Sequence, residues 1–165
     1  MNMETMLQKT TERYPDNPAL IYESKQISYK DLNQFVEALA CHMQGLGIRK
    51  GDKVAIMLSN CPEFVISYFA ALRLGAVAVT LNVMSTSHEL QHLIENSDAK
   101  VFICADNLAK RFQAIQETLP LCQHLITTNG LKSGSLFDEI IHSGLMSADN
   151  PALQGSDPEI GRAHV

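Results

Sequence analysis

A chain of 165 residues, 45% hydrophobic and 19% charged, is long enough for one domain with a core and short for two, and its composition excludes a disordered polymer. Lys plus Arg number 13 against 18 Asp plus Glu, a formal net charge of −5, so the basic footprint of a nucleic-acid binder is missing and no nucleic-acid partner is expected. No apolar run approaches the roughly 18 residues of a membrane span, and Met1 to Met6 form neither the basic nor the apolar part of a secretory signal, so the expected compartment is the cytoplasm.

Met3 to Arg13 reads as a short amphipathic helix, with Met3, Met6 and Leu7 at helical spacing. Tyr14-Pro15-Asp16-Asn17-Pro18 breaks it. Ala19–Tyr22 and Ile27–Tyr29 read as two strands of a hairpin around the polar turn Glu23–Gln26. Lys30–Leu46 is a helix with Leu32, Phe35, Val36, Leu39, Ala40 and Met43 on one face, stopped by Gly45 and Gly47. Lys53–Leu58 is a nearly continuous apolar run, as in a strand buried on both faces. A helix to Leu74 follows, with Asn60 as the expected cap, Pro62 in its first turn and Glu63 closing a capping box.

The alternation then repeats. Ala76–Leu81 is a strand and Ser87–Asn96 a helix. Lys100–Cys104 is a strand and Asn107–Leu119 a helix. His124–Thr128 is a strand, and Leu136–His142 a short helix. Strands alternating with helices at this spacing predict an α/β domain with a parallel sheet. Ser147–Pro158, rich in Asp, Ser, Pro and Gly, reads as a linker.

Cys41, Cys61, Cys104 and Cys122 form no CxxC pair and sit in apolar or helix-flanking contexts. Reduced, buried or half-buried thiols are expected.

The sharpest chemical motif is His88-Glu89-Leu90-Gln91-His92. HExxH places two zinc ligands one helical turn apart with a glutamate as general base, so a zinc metallopeptidase is one reading. Against it, Thr86 and Glu89 make a capping box, which puts Glu89 in the first turn with a structural job. Leu90, Leu93 and Ile94 form the buried stripe, leaving both histidines on a solvated face. His124 and His142 are the only weak candidates for a third ligand. The expectation is an exposed helix and no metal site. Gly45, Gly47 and Gly51 have the wrong spacing for a dinucleotide loop and lie between a helix and a strand, the reverse of the required order. Arg49, Lys50 and Lys53 read as a solvated turn. No phosphate loop, nucleophile elbow or carboxylate pair is present, so no catalytic or cofactor-binding residue is expected. Residues alone thus leave a stand-alone α/β binding module open.

Two segments add a resemblance: Ile27-Ser28-Tyr29-Lys30-Asp31-Leu32, and the run from Leu72-Arg73-Leu74-Gly75-Ala76 through Val77-Ala78-Val79-Thr80-Leu81-Asn82. They resemble motifs of the adenylate-forming enzymes, which include acyl-CoA synthetases, adenylation domains and luciferases. Gly47-Ile48, Lys50-Gly51-Asp52, Ser59-Asn60, Glu63-Phe64, Glu89-Leu90 and Ser97-Asp98-Ala99-Lys100 extend the match in order over roughly residues 4 to 158. The series is most similar to fatty-acid and related acid–CoA ligases. Thr80 and Val83 stand where the motif has prolines, which is expected to loosen that turn at modest cost.

The resemblance implies a parent enzyme that uses ATP, Mg²⁺ and coenzyme A to convert a carboxylic acid to its CoA thioester. It implies that residues 1–158 are the N-terminal part of that domain, without its phosphate loop or C-terminal domain, and inactive alone. Ile160-Gly161-Arg162-Ala163-His164-Val165 reads like a translated sequencing adapter, so residues 159–165 are expected to be a non-native tail.

Overall fold

The computed structural model describes residues 2–131 and 134–143. The expected linker and tail lie outside these residues. Helix α1 (Met3–Arg13) leads into a hairpin, β1 (Pro18–Tyr22) and β2 (Lys25–Ser28), followed by α2 (Tyr29–Gly45). The strand–helix units are β3 (Lys53–Met57) with α3 (Pro62–Arg73), β4 (Val77–Thr80) with α4 (Ser87–Ser97), and β5 (Val101–Ala105) with the short α5 (Ala109–Gln113). Strand β6 (His124–Thr128) and helix α6 (Leu136–Ile141) complete the order.

The main sheet has the order β4-β3-β5-β6, and every pairing in it is parallel. The hairpin is a separate antiparallel pair. Strand periodicity builds the core in two layers. Val54 and Ile56 of β3 and Val101 and Ile103 of β5 face one layer, with Val36, Leu39 and Met43 of α2 and Ile66 and Ala70 of α3. Ala55 and Met57, with Phe102 and Cys104, face the other, against Leu90 and Ile94 of α4 and Phe112 of α5. The sheet is thus covered on both faces, which is why β3 and β5 read as unbroken apolar runs.

Several local expectations are corrected. The hairpin turn is only Glu23–Ser24, because Tyr22 pairs with Lys25, and Glu23 adopts a positive φ of 54°. The residue capping α3 is Cys61, not Asn60, and its side chain makes no capping hydrogen bond. Pro62 occupies the first helical position, and Glu63 forms no capping box but is buried there. The helix expected over Asn107–Leu119 is broken into a 3₁₀ turn (Asp106–Leu108), α5, and a second 3₁₀ turn (Gln116–Thr118). The Thr118 hydroxyl donates to the Ile115 carbonyl at 2.6 Å, a local bond that competes with regular helix. It accompanies the tightening that delivers Phe112, Ile115 and Leu119 to the core.

In α1 the buried residues are Leu7 and Glu4, while Met3 and Met6 are exposed. The reason is charge pairing. Arg73 at the end of α3 donates from Nε to Glu4 Oε1 at 2.6 Å and from Nη2 to Asn33 Oδ1 at 2.6 Å. This buried link ties α1, α2 and α3 together. It turns α1 away from the face its methionines suggest, because an ion taken out of water needs its partner.

Candidate functional site at the carboxyl edge of the sheet

Parallel strands bring their C-terminal ends to one edge, and ligands of open α/β sheets bind there, where successive connections diverge. Here the chain leaves β3 for β4 on one side and then crosses to β5 on the other, so that point lies between β3 and β5. A cleft of about 600 Å³ opens at this edge. Met57 ends β3 in it and Leu58 follows, Val83 and Met84 come from the loop after β4, and Ala105 and Thr128 end β5 and β6. Cys61 and Glu63 enter from the start of α3. A shallower groove of about 390 Å³ between the hairpin and α3 shares Tyr22 and Cys61 with the cleft.

Three polar groups of the cleft, Glu63, Cys61 and Arg111, are engaged within the protein. Glu63 is only 3% exposed and sits in the first turn of α3, where a negative charge complements the helix dipole. Burial, and then the hydrogen bond to Glu63, push the Cys61 thiol up to about 11. Arg111 lines the cleft, but its Nη1 donates to the carbonyls of Val83 at 2.7 Å and Ser85 at 3.1 Å. A triphosphate does not fit this set. The adjacent helix N-terminus holds a carboxylate and a proline without an N–H, and Asp106 adds a second negative charge. The residues described here therefore supply walls, not a phosphate grip.

The Cys61 environment makes a direct prediction. A raised thiol value keeps the unreactive S–H form until pH approaches about 11. At pH near an ordinary thiol's pKa of about 8.5, alkylation of Cys61 is expected to run about a hundredfold slower than that of a free thiol. Its rate should keep rising as pH increases toward 11. Glu63→Gln removes the carboxylate and should shift the profile to lower pH. Peptide mass spectrometry after timed iodoacetamide treatment measures both, and an unshifted profile in Glu63→Gln would show that burial acts alone.

The HExxH residues lie elsewhere. His88, Glu89 and His92 are exposed on α4, with the imidazole centroids 5.5 Å apart. The Glu89 carboxylate accepts from the Thr86 N–H at 2.7 Å, and Thr86 accepts from the Glu89 N–H, a complete capping box. His142 contacts Asp138 and packs edge-on against Phe35. His124 begins β6. Among the described residues no three His, Cys, Asp or Glu side chains converge on a metal position. All four cysteines are free thiols, Cys104 and Cys122 buried and Cys41 and Cys61 half-buried. Gly47 and Gly51 adopt positive φ values of 96° and 84°, as turn residues between α2 and β3. Beside them Arg49 caps the end of α2, donating to the Gln44 carbonyl at 3.1 Å. The loop lacking prolines at Thr80 and Val83 is held by Asn82 and Arg111 instead. Sequence reasoning missed Glu63 and Arg111 as cleft residues. Burial of Glu63 has no sequence signal of its own, and the reach of Arg111 depends on how α5 packs.

Residues 7–158 match the family described as AMP-binding enzyme. The long-chain-fatty-acid–CoA ligase of Bacillus subtilis is 33% identical over 128 residues, 77% of this chain and 22% of that protein. The crotonobetaine/carnitine–CoA ligase of Salmonella paratyphi A is 33% identical over 121 residues, 70% of this chain and 23% of that protein. The crystal structure of the N-terminal domain of FACL13 from Mycobacterium tuberculosis superposes with a TM-score of 0.77 at 26% identity, covering 87% of this chain and 36% of that one. The chain thus spans less than a quarter of the length of these curated relatives. With the sheet order, the carboxyl-edge cleft and a match running through nearly every described element, the chain belongs to the family of AMP-binding enzymes.

Proposed function

We propose that the whole protein to which this chain belongs is an ATP-dependent acid–CoA ligase acting on a fatty or related carboxylic acid. The overall reaction joins the acid to the thiol of coenzyme A at the expense of ATP, with Mg²⁺ as the phosphate counter-ion. The observation that carries this reading is the family match over residues 7–158, supported by relatives named as acid–CoA ligases. This segment's share of the work is structural: a covered sheet whose carboxyl edge walls the cleft. Among the described residues no helix is long and apolar enough to cross a membrane; the cytoplasmic location is part of the proposal.

The test has two arms. The full-length gene product, given ATP, Mg²⁺, coenzyme A and a panel of alkanoic and aromatic acids, is expected to release AMP and form an acyl-CoA. Failure with every short-chain, long-chain and aromatic acid would overturn the ligase reading. Residues 1–165 alone are expected to show no acid-dependent ATP–pyrophosphate exchange. Measurable exchange would refute the scaffold role.

A further inference from the structure

The loop between β4 and α4 is a β-turn. The Ser85 N–H donates to the Asn82 carbonyl at 3.0 Å, and the Met84 N–H donates to Asn82 Oδ1 at 2.8 Å. Asn82 is therefore the first residue of the turn and Val83 the second, the position where proline pre-sets the backbone. This chain has valine there, so the turn lacks that internal stiffening. The loop stands between two openings. Val83 and Met84 wall the carboxyl-edge cleft, and Met84 and Ser85 line a separate groove beside α4. Met84 is 79% exposed, so its own side chain anchors nothing, and the apolar hold on the turn is that of the half-buried Val83.

A further hold comes from outside the turn. Arg111, on α5, reaches across 28 residues of sequence and grips the Val83 carbonyl, and through the same nitrogen the Ser85 carbonyl. We propose that Arg111 is a positioning residue: its guanidinium clamps the Asn82–Ser85 turn from outside and so sets the wall of the cleft that Val83 and Met84 form. A guanidinium suits this task. It stays charged at every physiological pH, and its bonds to carbonyl oxygens are charge-assisted. In this role it does not contact a reacting group. Its effect on catalysis passes through the loop, and that part of the inference rests on the ligase reading.

Hydrogen–deuterium exchange on this chain tests the clamp without any activity. Arg111→Ala is expected to speed exchange of the Met84 and Ser85 amides by about tenfold to a hundredfold, the range for losing a charged hydrogen bond, with amides of β3 and β5 unchanged. Arg111→Lys should give a smaller effect, since a lysine supplies a single charged point rather than a planar fork. Adding Val83→Pro to Arg111→Ala should restore slow exchange, because the Val83 N–H makes no hydrogen bond among the described residues and the turn accepts proline there.

Unchanged exchange in Arg111→Ala, equal acceleration in β3 and β5, or no rescue by proline would each overturn the clamp. In the full-length ligase Arg111→Ala is expected to raise KM for the acid several-fold with kcat within about twofold, and Val83→Pro to restore it. A fall in kcat at unchanged KM would overturn the positioning role. If the wild-type protein has no ligase activity, the exchange measurement still decides the clamp.

Discussion

Replacing Glu4 by alanine is expected to destabilise the domain by about 3–5 kcal/mol. Glu4 is 7% exposed, and its partner Arg73 is 8% exposed, so removal of the carboxylate strands a guanidinium away from water. The Asn33 side chain satisfies Arg73 Nη2 but cannot neutralise its charge. The loss would consume a large fraction of the roughly 5–15 kcal/mol by which domains are stable. The double variant Glu4→Leu with Arg73→Met should recover much of it, since a well-packed apolar pair avoids the desolvation that the ions suffer. Urea titration followed by circular dichroism measures the series. A Glu4→Ala loss below about 1 kcal/mol, the range of surface pairs, would show that water reaches Arg73.

Phe102→Ala is the second large effect. Phe102 lies in β5, fully buried, and stacks on Phe112 of α5 with ring centroids 4.9 Å apart and planes 25° apart. The pair joins the sheet to α5, a helix of only five residues. So short a helix has little stability of its own and depends on this packing. Truncation is expected to cost about 3–5 kcal/mol from lost burial and the cavity left behind. Because α5 carries Arg111, the same substitution should also loosen the Asn82–Ser85 turn. A denaturation midpoint near wild type would mean that α4 and the sheet collapse to fill the space.

The two histidines of HExxH show how far a motif reaches without its setting. The spacing does place them one turn apart on a helix, as the sequence suggests. The capping role of Glu89 was legible too, because Thr86 stands three residues before it. Both features are local, and local hydrogen bonds decide them. By contrast, Glu63 was expected to close a capping box with Asn60, and with Cys61 as the cap it forms none and is buried instead. The α3 start is packed under the cleft rather than facing solvent, and no neighbour in sequence announces that.

The order of strands, helices and turns was readable from periodicity and from Gly, Pro and Asn positions, since each depends on contacts within a few residues. So was the family, because its motifs recur in order along the chain. What only the folded chain decided are the pairings between distant segments. Glu4 meets Arg73 across 69 residues, and Arg111 meets Val83 across 28. The sheet order that opens the cleft between β3 and β5 belongs to the same class. The physical reason is that periodicity records which side of an element is apolar, while the partner it buries against is chosen by the packing of all the elements at once.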